Sequence, residues 1–443
     1  MSAENNPASA ANNICRGGGD SPTTARAAMR AAAARSAAAP AVAITRRGGT
    51  PSTSRRELRP VRAVSESGST FVLDDSALRT SKLIYAASPG LGHFRPGHPE
   101  SDARVPAILD ALFDANLTPT LRPGELALLD GFRPATAEQV MTVHTKNYVK
   151  GLDVLARMRA PLDIDAAPTY LTKDSYHEAL NGVGAALALV DAVVASSKAR
   201  ENETGSDKNA AAGFGLCRPP GHHALPRGAM GFCLFGTVAA AAKHAQQQHG
   251  LQKVLIFDFD VHHGNGTNDI FRADKDVLFI SAHEDGSFPG TGKASDVGDD
   301  AGKGATINVP LPPGSGDAAA LAVLDDIVIP AAVRFQPDLI LISAGYDAHW
   351  RDPLAGLHYK TGTFHRLSVK LKELADELCG GKIVFLLEGG YDLVGLGEGV
   401  SDSFRALLGD KSGETCGKID GLVDADFEKV RKVLAQAKAT HQL

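Results

Sequence analysis

The sequence predicts an α/β protein built on a parallel β-sheet with helices on both faces. Short runs of β-branched and aromatic residues alternate with longer segments of helical periodicity, and no linker-like segment follows residue 70. Such alternation is typical of parallel sheets that are buried on both faces. The chain has 443 residues, 43% of them hydrophobic, which is enough for one large core. We therefore expect residues 66–443 to form a single domain.

The predicted strands are short apolar runs, several of which end in polar residues. They are KVLIFDFD (253–260), VLFISAHE (277–284), TINVPL (306–311), LILISAG (339–345) and KIVFLLEGG (382–390), with FGLCRPPGHHA (214–224) upstream. Apolar residues at helical spacing predict helices over 175–197, 236–249, 317–335 and 363–379. Strand, helix and strand thus follow one another through the second half of the chain.

Composition and charge exclude several classes of protein. Residues 1–62 hold ten Arg, no Lys and three acids, a net charge of +7. Because the whole chain has a net charge of −5, the rest of the chain carries a net charge of about −12. An acidic body lacks the basic surface of a nucleic-acid-binding protein. No stretch of about 18 uncharged apolar residues occurs, so we expect no membrane span. Five widely spaced cysteines without a CxxC pair argue against a disulfide framework or a thiolate zinc site.

The N-terminal segment, residues 1–65, differs from the rest of the chain. It is rich in Ala, Arg and Ser, poor in acids, and nearly free of aromatic residues that could anchor a core. This composition is typical of a transit peptide and predicts delivery to a chloroplast or mitochondrion. The alternative is an ordinary disordered tail on a protein of the cytoplasm or nucleus.

Titratable side chains gather where the predicted strands end. Asp258, Asp260 and His262 alternate at the end of one strand, and they would point the same way if the chain stayed extended to His262. Asp347 follows a second strand, within YDAH. Tyr391 follows a third, within GGYD, and His222 and His223 follow a fourth, within GHHA. Each feature alone has a structural explanation, such as a turn or a helix cap. Four such strand ends together predict a functional site at the carboxyl edge of the sheet.

At these residues the chain resembles the zinc-dependent histone deacetylase family and its bacterial relatives that act on acetylated polyamines. The matching motifs are RPPGHHA (218–224), GFC (231–233), DFDVHHGNGT (258–267), SAHEDGSFPGTG (281–292), SAGYDAHWRDPLAG (343–356) and LEGGYD (387–392). Asn265 stands where class I members carry Asp, so the resemblance is to class II, and the N-terminal segment suggests a plant organellar member. The resemblance implies the arginase–deacetylase fold, a single domain with a parallel sheet of about eight strands.

The expected metal ligands are Asp260, His262 and Asp347. Two carboxylates and one imidazole suit a zinc ion that keeps positions open for water and substrate, although iron(II) or manganese would accept the same ligands. The related arginases hold two manganese ions through further carboxylates. This chain instead has Gly264 two residues after His262 and His349 two residues after Asp347, which favours one ion per chain.

The resemblance also implies catalytic roles. His223 would be the general base and then the acid that protonates the leaving amine, while His222 would bond Asp258. Asn265 would orient His223. Tyr391 would donate its phenol hydrogen to the scissile carbonyl.

Substrate-binding and cation-binding residues follow from the same resemblance. Phe232, preceded by Gly231, would wall a narrow channel, and Leu354 stands near its mouth where polyamine-specific enzymes place a carboxylate. A potassium ion would use Asp258, Ser281 and Ala282. A second potassium site would use carbonyls of Phe271, Asp274 and Val277.

The sequence therefore predicts a zinc-dependent amidohydrolase that removes acetyl groups, most directly from acetyl-lysine in proteins. One alternative is a small-molecule deacetylase acting on N-acetylarylalkylamines or acetylpolyamines. Another is an inactive scaffold, against which stand the complete set of ligands, both histidines and Tyr391. The physiological substrate and the oligomeric state stay open.

Overall fold

A computed structural model describes residues 73–165, 168–204, 208–415, 417, 419 and 421–443. The N-terminal segment 1–65, predicted to be a transit peptide, lies outside the described residues. The strands are β1 Leu83–Ser88, β2 Leu126–Leu128, β3 Leu162–Asp163, β4 Tyr170–Leu171, β5 Ala212–Cys217, β6 Val254–Asp258, β7 Val277–Glu284, β8 Thr306–Leu311, β9 Leu339–Ala344 and β10 Ile383–Leu387. The helices are α1 Asp75–Thr80, α2 Arg104–Asp114, α3 Ala137–Val140, α4 Lys146–Arg159, α5 Ser175–Ala199, α6 Thr237–His249, α7 Asn265–Phe271, α8 Asp317–Val323, α9 Ile329–Phe335, α10 Thr361–Cys379, α11 Leu393–Leu408 and α12 Phe427–His441.

One eight-stranded sheet runs through the molecule in the order β2-β1-β5-β10-β9-β6-β7-β8. Its neighbouring strands are all parallel. The short strands β3 and β4 pair separately as an antiparallel ribbon. The expected parallel sheet of about eight strands is confirmed.

The sheet is buried on both faces because successive strand residues enter different cores. In β6, Leu255 and Phe257 pack into one apolar cluster, whereas Val254 and Ile256 pack into the other. Side chains alternate across a strand, so continuous apolar runs suit a sheet covered by helices on both sides. This explains why the strands were recognisable as unbroken apolar segments.

Helix α5 is the most apolar helix of the described chain. By length and composition it could cross a membrane, but 89% of its most apolar 18-residue window is buried inside the protein. It packs against α6 and the strands β1 and β5. Its apolar surface is therefore buried in the core of the protein.

The predicted helices are found with one interruption. The segment 317–335 forms α8 and α9 joined by a π-helical turn at Leu324–Val328. Pro330 lies in the first turn of α9 and has no N–H to donate, so the regular hydrogen-bond ladder cannot run through it. The helix predicted over 363–379 begins two residues earlier, at Thr361.

The strands β5, β10, β9 and β6 are consecutive neighbours in the sheet. They are the strands whose ends carry the titratable groups, so the polar segments after them meet at one edge, as predicted. One expectation is wrong in detail: β6 ends at Asp258, and the chain does not continue as an extended strand to His262. Asp260 and His262 reach the site through a turn instead, in which the His262 N–H bonds Asp260 Oδ1 at 2.9 Å.

Candidate metal centre

Three side chains that can ligate a metal meet at the carboxyl edge of the sheet. Asp260 and His262 lie between β6 and α7, and Asp347 follows β9. The Nδ1 atom of His262 is 3.1 Å from an oxygen of Asp260 and 3.2 Å from an oxygen of Asp347. Donors that bind zinc tetrahedrally at ~2.0–2.1 Å lie about 3.3 Å from one another. Ligand atoms of the three residues all lie within 4.8 Å of one another, close enough to share one ion.

The remaining contacts of these carboxylates fix their orientation. Asp260 Oδ2 accepts the N–H of Gly389 at 2.8 Å, and Asp347 Oδ1 accepts the N–H of Val261 at 3.0 Å. Asp347 Oδ2 is buried and has no donor in hydrogen-bonding geometry among the described residues. A buried carboxylate oxygen without a donor is costly unless a cation reaches it. This atom fits a metal ligand.

The electrostatics of the cluster also favour a cation. Burial and the nearby charge of Asp260 raise the pKa of Asp347 to about 7. Burial lowers the pKa of His262, but contacts with Asp260 and Asp347 outweigh it and raise that pKa to about 10. With His262 neutral, the two ionised carboxylates would leave two buried negative charges without compensation. A divalent ion would offset this charge and take the place of a proton on His262.

Two adjacent imidazoles lie after β5. His222 Nδ1 is 2.9 Å from Asp258 Oδ2, and His223 Nδ1 is 2.7 Å from Asn265 Oδ1. The amide nitrogen of Asn265 faces the sulfur of Met230 at 3.4 Å, which supports this orientation of the amide. Because both oxygens only accept, each Nδ1 carries a hydrogen. The Nε2 atom of a neutral His223 is then free to accept a proton.

The two imidazoles differ in charge. Burial lowers the pKa of His222, but the carboxylates of Asp260 and Asp258 outweigh it and raise that pKa well above the usual range. Burial, together with the positive charges of His222 and His262, holds the pKa of His223 well below the usual range. A charged His222 and a neutral His223 therefore sit side by side.

Tyr391 follows β10 on a backbone segment held by a buried arginine. Arg104 donates to the carbonyls of Glu388 at 2.6 Å and Gly390 at 2.7 Å, and its guanidinium lies 5.1 Å from the centre of the Tyr391 ring. Gly390 has a φ of +120°, which favours glycine. Burial raises the pKa of Tyr391 well above its usual value. The phenol keeps its hydrogen and can donate it.

Two phenyl rings bracket the approach to the cluster. Phe232 lies 5.7 Å from the Tyr391 ring, whereas Phe288 lies 5.1 Å from the His223 ring, both edge to face. Between them, Gly231 has a φ of +54°, and a Cβ there would come within 2.4 Å of a carbon of His223. Glycine at 231 therefore leaves room for the imidazole.

The other predicted residues lie around this centre. Asp258 and Ser281 are partners on adjacent strands, and Ala282 is buried beside them, but a potassium ion at either predicted site stays a prediction. Leu354 is 41% exposed. His349 Nε2 lies 3.3 Å from the Thr361 hydroxyl, so its side chain is engaged away from the three ligands.

The sequence analysis did not single out four residues of the site: Arg104, Phe288, Asp352 and Glu388. Phe288 lies within the matched motif SAHEDGSFPGTG, and an aromatic residue between Ser and Pro in the segment after a predicted strand was the available signal. Glu388 accepts the N–H groups of Gly221 and His222 and lies in the motif LEGGYD. Arg104 lies far upstream on α2, where no local pattern marks it.

Known proteins are similar in sequence to most of this chain. The family model described as "Histone deacetylase domain" matches residues 98–407. "Histone deacetylase 14, chloroplastic" of Arabidopsis thaliana is 48% identical over 373 residues, which cover 83% of this chain and 86% of the relative. "Histone deacetylase 10, chloroplastic" of Oryza sativa is 46% identical over 380 residues, covering 84% of each chain. "Histone deacetylase-like amidohydrolase" of Pseudomonas aeruginosa is 38% identical over 300 residues, covering 66% of this chain and 71% of the relative.

The fold is also similar to a solved structure. The crystal structure of the HDA15 HD domain superposes with a TM-score of 0.68 at 32% identity, covering 81% of this chain and 95% of that one. The eight-stranded parallel sheet of this chain, flanked by helices, is that of the arginase–deacetylase fold.

Proposed function

Because the chain belongs to the histone deacetylase family, we propose that it is a zinc-dependent amidohydrolase that removes acetyl groups from N-acetylated amines, with acetyl-lysine in proteins as the main substrate. The observation that carries this proposal is the meeting of three metal-ligating atoms with a neutral imidazole and a phenol at one edge of the sheet. This combination can hydrolyse an amide.

Asp260, His262 and Asp347 would hold the ion, one per chain. When bound, zinc supplies Lewis-acid activation of water and of the amide carbonyl. Two anionic ligands offset part of the ion's charge, so the bound water stays less acidic than at an all-histidine site. A base within the chain then becomes important.

His223 would be that base. Its Nδ1–H is fixed on Asn265, so its Nε2 accepts a proton from water as the water oxygen bonds to the carbonyl carbon. The same proton then passes to the leaving nitrogen as the carbon–nitrogen bond breaks, which yields acetate and the free amine. The low pKa of His223 suits this role because the imidazole starts neutral.

His222 and Tyr391 would stabilise the negative charge that grows on the carbonyl oxygen. His222 is bonded to Asp258 and stays protonated, so it contributes positive charge rather than proton transfer. Tyr391 keeps its phenol hydrogen and would donate it to the oxygen. A positioned donor of this kind typically accelerates the reaction ~10²–10³-fold.

Phe232 and Phe288 would accept the aliphatic chain of the substrate between their rings. Two apolar walls of this kind suit the extended side chain of an acetyl-lysine. Leu354 at the predicted mouth offers no carboxylate to a distal ammonium group, which disfavours acetylpolyamines. A potassium ion near Asp258, Ser281 and Ala282 is part of this proposal.

The protein would act in a plastid. Two of its relatives are named chloroplastic, and residues 1–65 have transit-peptide composition. Fusion of these residues to a fluorescent reporter should direct the reporter to plastids. A diffuse cytosolic signal would contradict the assignment.

One assay decides among substrates. The zinc-loaded protein should be tested in parallel on acetyl-lysine peptides, acetylpolyamines and acetylated arylalkylamines. We expect acetate release to be fastest from the peptides. Preferential release from a small amine would redirect the proposal to small-molecule deacetylation, and no release from any substrate would contradict it.

A further inference from the structure

Asp352 lies in the loop after β9, five residues beyond the ligand Asp347, and its side chain joins two segments of the site. It is only 7% exposed. Its Oδ1 accepts the N–H of Leu354 at 2.9 Å within its own loop. Its Oδ2 accepts the N–H of Tyr391 at 2.7 Å and faces that of Asp392 at 3.4 Å. One carboxylate thus links the loop after β9, which carries Asp347, to the segment 388–392 after β10, the tyrosine loop.

The other anchors of the tyrosine loop hold the residues on either side of Tyr391 or its ring. Gly389 donates its N–H to the ligand Asp260, and Arg104 holds the carbonyls of Glu388 and Gly390. Gly390, with its φ of +120°, leaves the backbone next to Tyr391 intrinsically free to adopt several conformations. After Tyr391, Asp392 caps α11 by accepting the Gly395 N–H at 2.7 Å, and the Tyr391 ring contacts Arg104 and Phe232. The main chain of Tyr391 itself is held by the hydrogen bond from its N–H to Asp352.

We propose that Asp352 is a positioning residue that places the Tyr391 hydroxyl over the metal centre by holding the Tyr391 backbone. This inference rests on the proposed function. Asp352 itself touches no substrate; its effect on the reaction passes entirely through Tyr391. A misplacement of about 1 Å at a catalytic group can cost ~10²-fold in rate, so the effect is measurable.

The substitution Asp352→Asn tests this role with little change in shape. A carboxylate has two acceptor oxygens, but an amide has one, and its NH₂ group cannot accept. The variant can therefore satisfy either Leu354 or Tyr391, but not both. We expect kcat to fall ~10–100-fold, with KM and zinc content unchanged.

A matched control contacts the same loop from the end of β7. Glu284 Oε2 accepts the N–H of Gly356 at 3.0 Å, so Glu284→Gln also replaces a carboxylate acceptor of this loop. Glu284 makes no hydrogen bond to the tyrosine loop in the described part of the chain. We expect Glu284→Gln to keep the kcat of the unsubstituted protein. An equal fall in both variants would show general loosening of the loop and would overturn the assignment.

A double-mutant cycle separates positioning from general damage. In a Tyr391→Phe background there is no hydroxyl left to place, so Asp352→Asn should lower kcat less than ~2-fold further. An equal loss in both backgrounds, or an unchanged kcat in the single variant, would overturn the inference. If Asp352→Asn does not fold, Asp352→Glu keeps both oxygens but moves them by one methylene, and the same cycle applies.

A measurement that does not depend on enzyme activity tests this inference separately from the proposed function. A crystal structure of Asp352→Asn should show the Tyr391 main chain displaced while Asp260, His262 and Asp347 stay in place. An unmoved Tyr391 would overturn the inference even if the protein hydrolysed no acetylated amine. A displaced Tyr391 in a protein without deacetylase activity would contradict only the proposed function.

Discussion

Two buried clusters of aspartate and histidine in this protein are similar in composition but differ in spacing. In the metal centre, His262 Nδ1 lies 3.1 and 3.2 Å from the oxygens of Asp260 and Asp347. In the second cluster, between α5 and α6, the Nε2 atoms of His244 and His249 lie 2.7 and 2.6 Å from the same oxygen of Asp191.

The spacing favours the first cluster over the second as an ion site. Ligand atoms around a tetrahedral zinc ion lie about 3.3 Å apart, and the contacts of His262 come closer to that distance than the contacts of Asp191 do. Charge-assisted N–H···O bonds are ~2.7–2.9 Å long, close to the contacts of Asp191. Both clusters contain a buried carboxylate oxygen without a donor, on Asp347 and on Asp191. A buried carboxylate oxygen without a donor is therefore not enough to distinguish the candidate ion site from the second cluster.

The largest effect should follow loss of a ligand in the first cluster. Asp260→Ala or Asp347→Ala should abolish the bound transition ion, about one per chain, and reduce activity to the uncatalysed background. Elemental analysis of the purified protein measures the ion. Asp191→Asn is the matched control and should keep it. Loss of zinc in that control, or two manganese ions in the active protein, would contradict the single-ion interpretation.

A smaller effect should follow removal of the base without removal of a ligand. His223→Ala should lower kcat by ~10²–10⁴-fold because general acid–base catalysis is lost. The zinc content should stay at that of the unsubstituted protein, since His223 bonds Asn265 rather than the ion site. Steady-state kinetics and elemental analysis of the same sample test both statements. Unchanged turnover in the folded variant would remove His223 from the mechanism.

Tyr391→Phe should have a similar or smaller effect, confined to kcat. The change removes one oxygen and leaves the ring against Phe232 and Arg104. Loss of one such donor costs ~10²–10³-fold, and binding of a metal-chelating hydroxamate should weaken only moderately. Calorimetric titration with the hydroxamate measures that binding. A variant with full kcat, or without zinc, would show that the tyrosine is structural.

The smallest effect on activity, and a measurable effect on stability, should follow substitution in the second cluster. Asp191→Asn weakens two hydrogen bonds to a buried charge and should lower the free energy of unfolding by ~1–3 kcal/mol. Activity should be unchanged. Denaturant unfolding of the zinc-loaded protein measures the loss. A fall in kcat without a change in stability would contradict a purely structural role.

The second cluster also predicts a pH dependence. Burial alone would raise the pKa of Asp191, but hydrogen bonds from His244 and His249 outweigh it and lower that pKa. A lowered pKa in the folded state means that the stabilisation is complete above about pH 4, the usual range of an aspartate, and is lost as the pH falls through the folded value. The stability difference between the unsubstituted protein and Asp191→Asn should therefore shrink in acid. A constant difference would contradict the ionic contribution.

The first cluster could be predicted from sequence, and the second could not. Asp260, His262 and Asp347 follow apolar strands, and parallel strands deliver their carboxyl ends to one edge, so local patterns located them. Asp191 and His244 lie on helices whose pairing no local pattern reveals, and His244 and His249 are five residues apart, which is not a spacing that marks a helix face. The roles of Arg104 and Asp352 were not predicted for the same reason, since each contacts the tyrosine loop from a distant segment of the chain. The strands β1 and β2 were also not predicted, since Ala-rich and three-residue strands carry little signal.

The position of the proposed ligands in the segments that follow β6 and β9 has a consequence for the lifetime of the folded protein. These strands are adjacent in the sheet but distant in the chain, so we expect the proposed ligand atoms to meet only after the long-range pairing of the strands is complete. Interactions formed that late are absent from the folding transition state, and they act on the unfolding rate rather than on the folding rate. Metal supply should therefore govern how slowly the native protein opens, and with it how long the protein resists proteolysis, more than how quickly a newly made chain folds.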